Sequence, residues 1–360
     1  MSKRWAWMLG SLVLVAVVVL GLWRLPAVQD AVLRRVIARR LAPPPRDLYA
    51  GGAMRVLLCG TSSPMPHPSR AKACTAVFAG GRLWVVDVGP GSWNELALWR
   101  VDGAPIGGVL LTHFHSDHIG ELGEFNMQTW VAGRAAALRV FGPPGVERVV
   151  AGFSEVYALD TGYRIAHHGA DFLPPDRALM EARPVVVPPQ PGATAVVVDE
   201  DGVRITAFAV THTPVRPAYG YRFDAGGRSV VVSGDTIKDP ALVAAARGAD
   251  VLVHEAQAQH LVAMIREQAA QTGLARIAKI MGDIPTYHTS PVEAGEVANE
   301  AGVRLLVLSH LTPPPPTRLL DGVFVRGLDA VRPHGWILGD DGLLVTLPYG
   351  SDAVEIDSLR

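Results

Sequence analysis

Cysteine is scarce in this chain, with only two residues, Cys59 and Cys74, among 360. Two cysteines are too few for a disulfide scaffold, although a single bridge between them can form. Buried free thiols are the expected state. Neither cysteine stands in a Cys-x-x-Cys spacing. A small domain held together by disulfides is therefore excluded.

An excess of charge is also lacking. The chain has 33 basic and 34 acidic residues, a formal net charge of −1 and a pI near 6.9. This balance gives no general attraction to phosphate backbones, although it does not describe local patches. Hydrophobic residues make up 49% and charged residues 19%, which is typical of a globular protein.

Charged residues are missing altogether from residues 5–23, which are rich in Leu and Val and have Trp at both ends. At about 1.5 Å per residue, this helix is long enough to cross a bilayer core of about 30 Å. The tryptophans suit the two membrane interfaces. A buried helix and a cleaved signal peptide are the alternatives, but no small-x-small cleavage pattern follows. The sequence therefore favours an uncleaved transmembrane anchor in residues 1–25.

Residues 26–53 are predicted to form a basic juxtamembrane helix and a proline-rich linker. Apolar residues alternate there with four arginines, which suits either a helix on an anionic lipid surface or a simple juxtamembrane helix. Three consecutive prolines, 43–45, then end the helix. The main globular domain of the chain is predicted to start at Met54 and to end near residue 350.

Residues 112–118 (THFHSDH) concentrate the residue types that bind transition metals. They follow an apolar strand, 107–111, and precede a predicted helix. Alternate residues of an extended segment share a side, so His113 and His115 can enter one pocket while Asp117 and His118 enter from the first helical turn. One loop could therefore serve two metal ions. A solvated polar loop or structural histidines are the alternatives.

Three distant strands also end in residues that can bind metal. Segments 203–210, 228–233 and 303–309 are apolar, and they precede His212, Asp235 and His310, respectively. Taken singly, each of these polar residues is more often a cap or a satisfied core residue. Further strands are predicted at 54–60, 73–79 and 82–88, and helices at 120–131 and 146–159. Segment 160–189 has no clear period and is predicted to be a rim insertion or lid.

The order of these motifs resembles the metallo-β-lactamase superfamily from about Met54 onward. The resemblance implies an α/β fold, a four-layer αβ/βα sandwich, here preceded by the transmembrane helix. It implies two Zn²⁺ ions, with other divalent transition metals as the alternative, and a metal-bridging hydroxide as the nucleophile. The implied ligands are His113, His115 and His212 for one ion, Asp117, His118 and His310 for the other, and Asp235 for both.

Residues 253–256 (VHEA) and 287–290 (YHTS) resemble the ribonuclease Z group of this superfamily. The resemblance implies that His288 donates a proton to the leaving oxygen and that Glu255 orients or charges it. Asp117 is counted with them as catalytic. A helix-capping cluster at 288–291 is the alternative.

The loop 61–70 is placed by the same resemblance near the rim of the site. Its Ser69 and Arg70 are therefore weak candidates for binding an anionic substrate.

One feature of the tRNA-processing enzymes is missing. They carry a Gly/Pro-rich arm between two strands that are separated here only by residues 223–227, a tight hairpin. Together with the net charge, this leads us to expect no specific nucleic acid partner. Segments 264–266, 310–314 and 339–342 resemble the arylsulfatase-like branch of the group, although the Cys/Ser-x-Pro-x-Arg motif of formylglycine sulfatases is absent.

The predicted function is therefore a dinuclear-metal hydrolase that cleaves an ester substrate, such as a sulfate monoester or a phosphodiester. A tRNA 3′-processing endoribonuclease, a lactonase and a non-catalytic membrane-tethered binding module are the alternatives. Membrane localisation with a periplasmic catalytic domain is expected from the resemblance. The arginines after the span favour the cytoplasmic side instead. A homodimer is left open.

Overall fold

The computed structural model describes residues 3–42, 44 and 46–360. The chain divides into two compact units, with the boundary between Asp47 and Leu48. The first unit contains α1 (Lys3–Trp23) and α2 (Pro26–Leu41). Among the described residues, no single helix is both long and apolar enough to span a membrane. Ser11–Trp23 and Pro26–Leu41 meet these criteria only when they are taken together, and the two helices are bent by 83° relative to each other. The transmembrane helix is not confirmed, and both the membrane localisation and the segment bounds stay predictions.

The second unit is built on two mixed sheets. Its strands, within the described residues, are β1 (Ala53–Gly60), β2 (Cys74–Ala79), β3 (Arg82–Val86), β4 (Ile106–Leu110), β5 (Leu138–Gly142), β6 (Met180–Pro184), β7 (Thr194–Glu200), β8 (Val203–His212), β9 (Val215–Ala225), β10 (Arg228–Val232), β11 (Val251–Gln257), β12 (Leu305–Thr312), β13 (Trp336–Leu338), β14 (Leu343–Pro348) and β15 (Glu355–Ser358). One sheet has the order β15-β14-β1-β2-β3-β4-β5-β6 and the other β13-β12-β11-β10-β9-β8-β7.

The helices of the second unit lie between these strands. They are α3 (Ser92–Leu98), α4 (Ser116–Ile119), α5 (Leu122–Val131), α6 (Val146–His168), α7 (Pro240–Ala245), α8 (Gln259–Gln271), α9 (Ala275–Asp283), α10 (Pro291–Glu300), α11 (Asp321–Phe324) and α12 (Leu328–Val331). Short 3₁₀ turns occupy Pro175–Ala178, Ile284–Thr286 and Arg318–Leu320.

The two sheets pack face to face around a buried core. Side chains of β1 to β4, such as Trp84, meet side chains of β8 to β12, such as Tyr221 and Val253. The outer face of the first sheet packs against α3, α5 and α6, and that of the second against α7, α10 and α12. The predicted α/β fold with two facing sheets is confirmed, and the helices on both outer faces complete the four layers.

Strand β4 passes very close to the Trp84 ring. A Cβ atom on Gly107 would lie 2.7 Å from that ring, so only glycine fits at this position. The close approach fixes the strand that leads directly into residues 112–118, and the packing of this strand therefore positions the histidine loop.

The hairpin between β9 and β10 is as tight as predicted. Ala225 pairs with Arg228, which leaves Gly226 and Gly227 as the turn, both with positive φ. A two-residue turn of this kind requires positive φ at both central positions, which glycine adopts without strain. No arm projects from this hairpin.

The segment 160–189 differs from the predicted lid. Helix α6 continues through the first part of it to His168, and β6 then pairs in parallel with β5 at the edge of the first sheet. This edge strand has no fully buried residue, but half-buried Met180 and Ala182 alternate with exposed Glu181 and Arg183, and the prediction of a lid overlooked this alternation. His167 and His168 are exposed and belong to none of the metal-binding clusters among the described residues.

Cys59 and Cys74 form a disulfide, with their Cα atoms 5.0 Å apart. The expectation of free thiols was wrong. The two residues meet because β1 and β2 are antiparallel neighbours whose register shifts between Leu58 and Gly60. A spacing of 15 residues along the chain does not reveal that register.

Candidate active site

The histidine loop lies at the carboxyl end of β4. His113 and His115 precede α4, whereas Asp117 and His118 lie within the short helix itself. His113, Asp117 and His118 are buried, and His115 is exposed. The strand, loop and helix thus follow the order predicted from the spacing.

The second sheet supplies three more side chains from alternate strands, β8, β10 and β12. His212 is the last residue of β8, and Asp235 follows the end of β10. His310 was expected just after its strand but lies within β12, at a bulge with φ of +46°. Positive φ is uncommon for a residue with a side chain, and bulges often redirect a side chain beside an active site.

Four of these residues form one group, namely His113, His115, His212 and Asp235. His113 Nε2 lies 2.9 Å from His115 Nδ1. Asp235 Oδ2 lies 3.9 Å from His113 Nε2 and 3.8 Å from His212 Nε2. A single ion could contact all four ligand atoms.

Asp117, His118 and His310 form the second group. His310 Nε2 lies 3.1 Å from Asp117 Oδ2 and 3.3 Å from His118 Nε2. Asp235 Oδ2 lies 3.4 Å from His118 Nε2 and 3.5 Å from His310 Nε2, so the same oxygen borders both groups. The position of Asp235 therefore fits the bridging role implied by the resemblance.

Several of these buried polar atoms lack protein partners. His212 Nε2 and Asp235 Oδ1 are buried without a hydrogen bond in the described residues. Unpaired buried polar atoms are costly, and imidazole nitrogens have lone pairs that repel each other when they face one pocket. A cation bound among these atoms would give the unpaired atoms a partner and would remove the repulsion between the lone pairs. Neutral imidazoles together with carboxylates are typical zinc ligands.

Outer partners orient these ligands. His118 Nδ1 lies 2.7 Å from Asp87 Oδ2, as expected for a carboxylate behind a ligand histidine. His212 Nδ1 lies 3.0 Å from the Tyr287 carbonyl oxygen. Because a carbonyl oxygen only accepts, the proton of His212 is on Nδ1, which leaves the Nε2 lone pair directed into the site.

Thr112 belongs to the same outer layer but had no predicted role. Its hydroxyl lies 2.8 Å from Asp87 Oδ2 and 3.0 Å from His113 Nδ1. The sequence placed Thr112 beside His113, yet only the fold brings Asp87 to it.

The electrostatics of the pocket also suit a cation. Burial and the charge of His118 hold the pKa of His113 well below its ordinary value, so this ring is neutral. Burial alone would raise the pKa of Asp235, but His310 and His118 outweigh it and keep the carboxylate ionised. Burial lowers the pKa of His118, yet Asp235 and Asp87 raise it well above its ordinary value. The negative field that attracts a proton here would also attract a metal ion.

Glu255 and His288 form a buried pair beside these groups. His288 Nδ1 lies 3.0 Å from Glu255 Oε1, which also accepts from the backbone N–H of Thr289 at 3.0 Å. Burial lowers the pKa of His288, but the Glu255 carboxylate outweighs it and raises the pKa to about 9. His288 is therefore a protonated acid at neutral pH, as a proton donor requires.

A helix cap does form within residues 288–291, but His288 is not the capping residue. Ser290 caps α10 through a capping box with Glu293. His288 takes no part in that cap and is free to pair with Glu255. It also lies close enough to Asp235 and His310 to form a third group that could hold a metal ion. Ligand and proton donor are therefore the two roles that experiment must separate for His288.

The weak substrate candidates have other partners. Arg70 donates to Thr61 Oγ1 and to the Gly339 carbonyl oxygen, and its guanidinium lies 3.4 Å from Asp340. Ser69 accepts from Arg360 through its carbonyl oxygen. Neither residue lines the cavities beside the histidines, so their role in substrate binding stays a prediction without a supporting contact.

Two cavities large enough for part of a substrate adjoin the clustered ligands. The larger, about 510 Å³, is bordered by His115, His212 and Thr286. The smaller, about 270 Å³, is bordered by Asp117, Asp235 and His288. Tyr287, which had no predicted role, borders both of them.

Comparison with known proteins identifies the fold and its family. Residues 84–311 match the model described as "Beta-lactamase superfamily domain". The chain belongs to this superfamily. It is also 39% identical over 263 residues to a protein named ribonuclease Z from Mycobacterium bovis. The aligned region covers 72% of this chain and 86% of the relative.

Solved structures give the same fold for this beta-lactamase superfamily member. The short form of human tRNase Z superposes with a TM-score of 0.57 at 18% identity, covering 82% of this chain and 99% of that one. Zinc-bound PqqB from Methylobacterium extorquens gives a TM-score of 0.52 at 15% identity, covering 81% and 99%. At such identities these structures support the fold alone.

The mycobacterial relatives and the family match place the chain in the ribonuclease Z-related group and make it a metal-dependent hydrolase. The mycobacterial relatives favour ribonuclease Z over the arylsulfatase-like branch, which is not supported. The expectation of no nucleic acid partner is contradicted, because the mycobacterial relatives are ribonucleases. That expectation relied on a net charge averaged over the whole chain and on the missing arm, and neither describes the surface around the site. The proposed membrane partner gains no support either.

Proposed function

We propose that this protein is a ribonuclease Z-type phosphodiesterase that holds two zinc ions and cleaves RNA at the 3′ side of tRNA precursors. The observation that carries this proposal is the Glu255–His288 pair beside the two ligand groups. The mycobacterial ribonuclease Z relatives support the choice of RNA.

The pair discriminates between ester substrates through the leaving group. A ribose hydroxyl leaves poorly as an alkoxide, so its departure benefits strongly from a proton donor. A phenol leaving from an aryl sulfate stabilises its own negative charge and needs little help. A buried histidine held protonated beside the site is therefore most useful for a ribose ester.

The residues of the two groups have separate tasks in this proposal. His113, His115 and His212 would hold one ion, and the second group the other, with Asp235 shared between them. Bound zinc would lower the pKa of water and offset the charge of the phosphoryl oxygens. Asp87 and the Tyr287 carbonyl keep the ligand rings oriented. His288 supplies the proton for the leaving oxygen.

Basic residues at the rim provide contacts for RNA phosphates without an arm. Exposed Arg216 donates to Thr213, which borders the larger cavity. Exposed Arg266 lies beside Gly282, another residue at that border. Contacts with phosphates release counterions, so binding should weaken steeply with salt.

A second candidate is the hydrolysis of small phosphodiesters. It is favoured by the two-residue turn between β9 and β10, because no element reaches out from this hairpin toward a large substrate. The same catalytic residues would act on both substrate classes.

The test is a hydrolysis panel with the full-length, zinc-loaded protein. We expect cleavage of a tRNA precursor with a 3′ extension, with weaker turnover of bis(p-nitrophenyl) phosphate and none of an aryl sulfate. Sequencing of the product ends locates the cut. Efficient turnover of the small diester with intact precursor tRNA would replace the first candidate by the second. Aryl sulfate hydrolysis alone would refute both.

A further inference from the structure

The smaller cavity is lined by both polar and apolar side chains. The polar ones include the candidate ligands Asp117, Asp235 and His310, together with His288. The apolar ones come from two separate segments, Met65 from the loop after β1, and Ile280, Met281 and Ile284 from α9 and the turn that follows it. The cavity thus offers apolar contact area beside the groups that would carry out the chemistry.

His288 opens into this cavity and does not border the larger one. Its Nδ1 is occupied by Glu255, while Nε2 has no hydrogen-bond partner among the described residues. The proton that His288 can give away is therefore on Nε2, and the residue borders the smaller cavity beside Asp235 and His310. Tyr287 and His115 border both cavities, which therefore adjoin each other.

This arrangement assigns a direction to the reaction. In hydrolysis of a phosphodiester, the oxygen of water forms a new bond to phosphorus, and the bond from phosphorus to the leaving oxygen breaks. The leaving oxygen takes the His288 proton and departs as an alcohol, and a proton from the attacking water restores the acid through solvent. Because the donor must lie within hydrogen-bond reach of the leaving oxygen, the leaving group lies on the His288 side.

We propose that the cavity walled by Met65, Met281 and Ile284 is the leaving-group subsite, and that it takes one uncharged flat ring, the base of the nucleoside that carries the leaving oxygen. The proposal rests on the proposed phosphodiester hydrolysis. Typical cavities for drug-sized ligands measure about 300–1,000 Å³. A cavity of about 270 Å³ therefore suits a single ring system. The fragment that keeps the phosphate lies in the larger cavity.

The chain offers a matched pair of variants on one 3₁₀ turn. Ile284 borders only the smaller cavity and Thr286 only the larger one. Ile284→Asp and Thr286→Asp add the same charge two positions apart. Neither residue is a candidate ligand or proton donor.

The experiment uses short RNA substrates that lack a base on one side of the cut, with product ends showing which side keeps the phosphate. Ile284→Asp should lower kcat/KM at least about 10-fold when the leaving nucleoside has its base, and less than about 2-fold when it does not. Thr286→Asp should instead lower kcat/KM more when the fragment that keeps the phosphate has its base than when it does not. Equal losses for both substrates in both variants would overturn the assignment.

Equilibrium binding gives a readout that is independent of turnover. Calorimetric titration of the zinc-loaded protein with a nucleoside, which represents the released alcohol, should show weaker binding to Ile284→Asp than to Thr286→Asp. A nucleoside monophosphate should show the opposite order. Unchanged nucleoside binding in Ile284→Asp would also overturn the subsite.

The design separates this proposal from the function on which it rests. If the protein cleaves aryl diesters but not RNA, the proposed RNA-processing function is wrong. The subsite is then tested with diesters that differ only in the leaving group. A phenyl leaving group should then be sensitive to Ile284→Asp and a methyl leaving group insensitive. If RNA is cleaved and neither variant distinguishes the substrates, the function stands and the subsite fails.

Discussion

Replacing His288 is the most direct test of the proposed chemistry. In the wild-type protein Nδ1 is hydrogen-bonded to Glu255, which leaves Nε2 as the proton donor, and His288 borders the cavity beside the ligand groups. His288→Ala removes the donor, and His288→Gln keeps a group that can donate to Glu255 but has no proton to transfer. General acid catalysis contributes about 10²–10⁴-fold, which corresponds to about 3–5 kcal/mol of transition-state stabilisation.

The loss should depend on the leaving group. For RNA, whose leaving ribose is a poor leaving group, both variants should lose the full factor of about 10²–10⁴ in kcat/KM. For bis(p-nitrophenyl) phosphate, whose leaving group carries its charge well, the loss should stay below about 10-fold. Steady-state kinetics on the two substrates measures the difference. His167→Ala, an exposed histidine outside the site, is the matched control and should change neither rate.

Metal content decides between the two roles of His288. Elemental analysis of both variants should show the same zinc content as the wild type, since the ligand groups assigned to the two ions do not include His288. A fall in zinc would instead support the third group, in which His288 joins Asp235 and His310. Equal rate losses on both substrates, even at full zinc content, would also refute the role of proton donor.

Three further outcomes follow from other residues of the site and its surroundings. Asp235→Asn should lower zinc content and turnover together, because one oxygen of Asp235 borders both ligand groups; elemental analysis with full zinc and wild-type turnover would contradict the shared role. Glu255→Gln should move the alkaline limb of the pH–rate profile to lower pH, because the carboxylate raises the pKa of His288 to about 9 and the acid must be protonated below that value to act; an unmoved limb would contradict the pairing. Replacing Cys59 and Cys74 by serine opens a loop of 15 residues and should cost about 3 kcal/mol of unfolding free energy, measured by denaturant titration against the oxidised wild type.

Local spacing explains which parts of the site could be predicted. His113, His115, Asp117 and His118 lie within six positions, so a strand followed by a helix already brings them together. His212 ends one strand and Asp235 follows another, and strands that run in the same direction have their carboxyl ends at the same edge of a sheet. These patterns are properties of the sequence itself, and the fold class followed from the same patterns together with the resemblance.

Other features depend on register and on distant contacts. His310 lies in the site because β12 has a bulge opposite Glu255 and Ala256. The sequence of residues 303–309 contains no pattern that predicts this bulge. The guanidinium of Arg70 donates a hydrogen bond to the carbonyl oxygen of Gly339, which is 269 residues away in the sequence. No local sequence pattern could predict this contact. The apolar lining of the smaller cavity likewise combines Met65 with residues of α9. Such contacts exist only once the sheets have paired.

The candidate ligands come from both sheets, which has a consequence for folding. His113 and His118 follow a strand of the first sheet, whereas His212 and His310 end or lie in strands of the second. At this edge the two sheets meet through polar side chains, while the interior between them is filled by apolar ones. Removal of zinc should therefore loosen one end of the sandwich and leave the rest closed. In hydrogen exchange, amides at the carboxyl ends of β8 and β10 should lose protection on chelation, whereas those at the start of β10 should keep it.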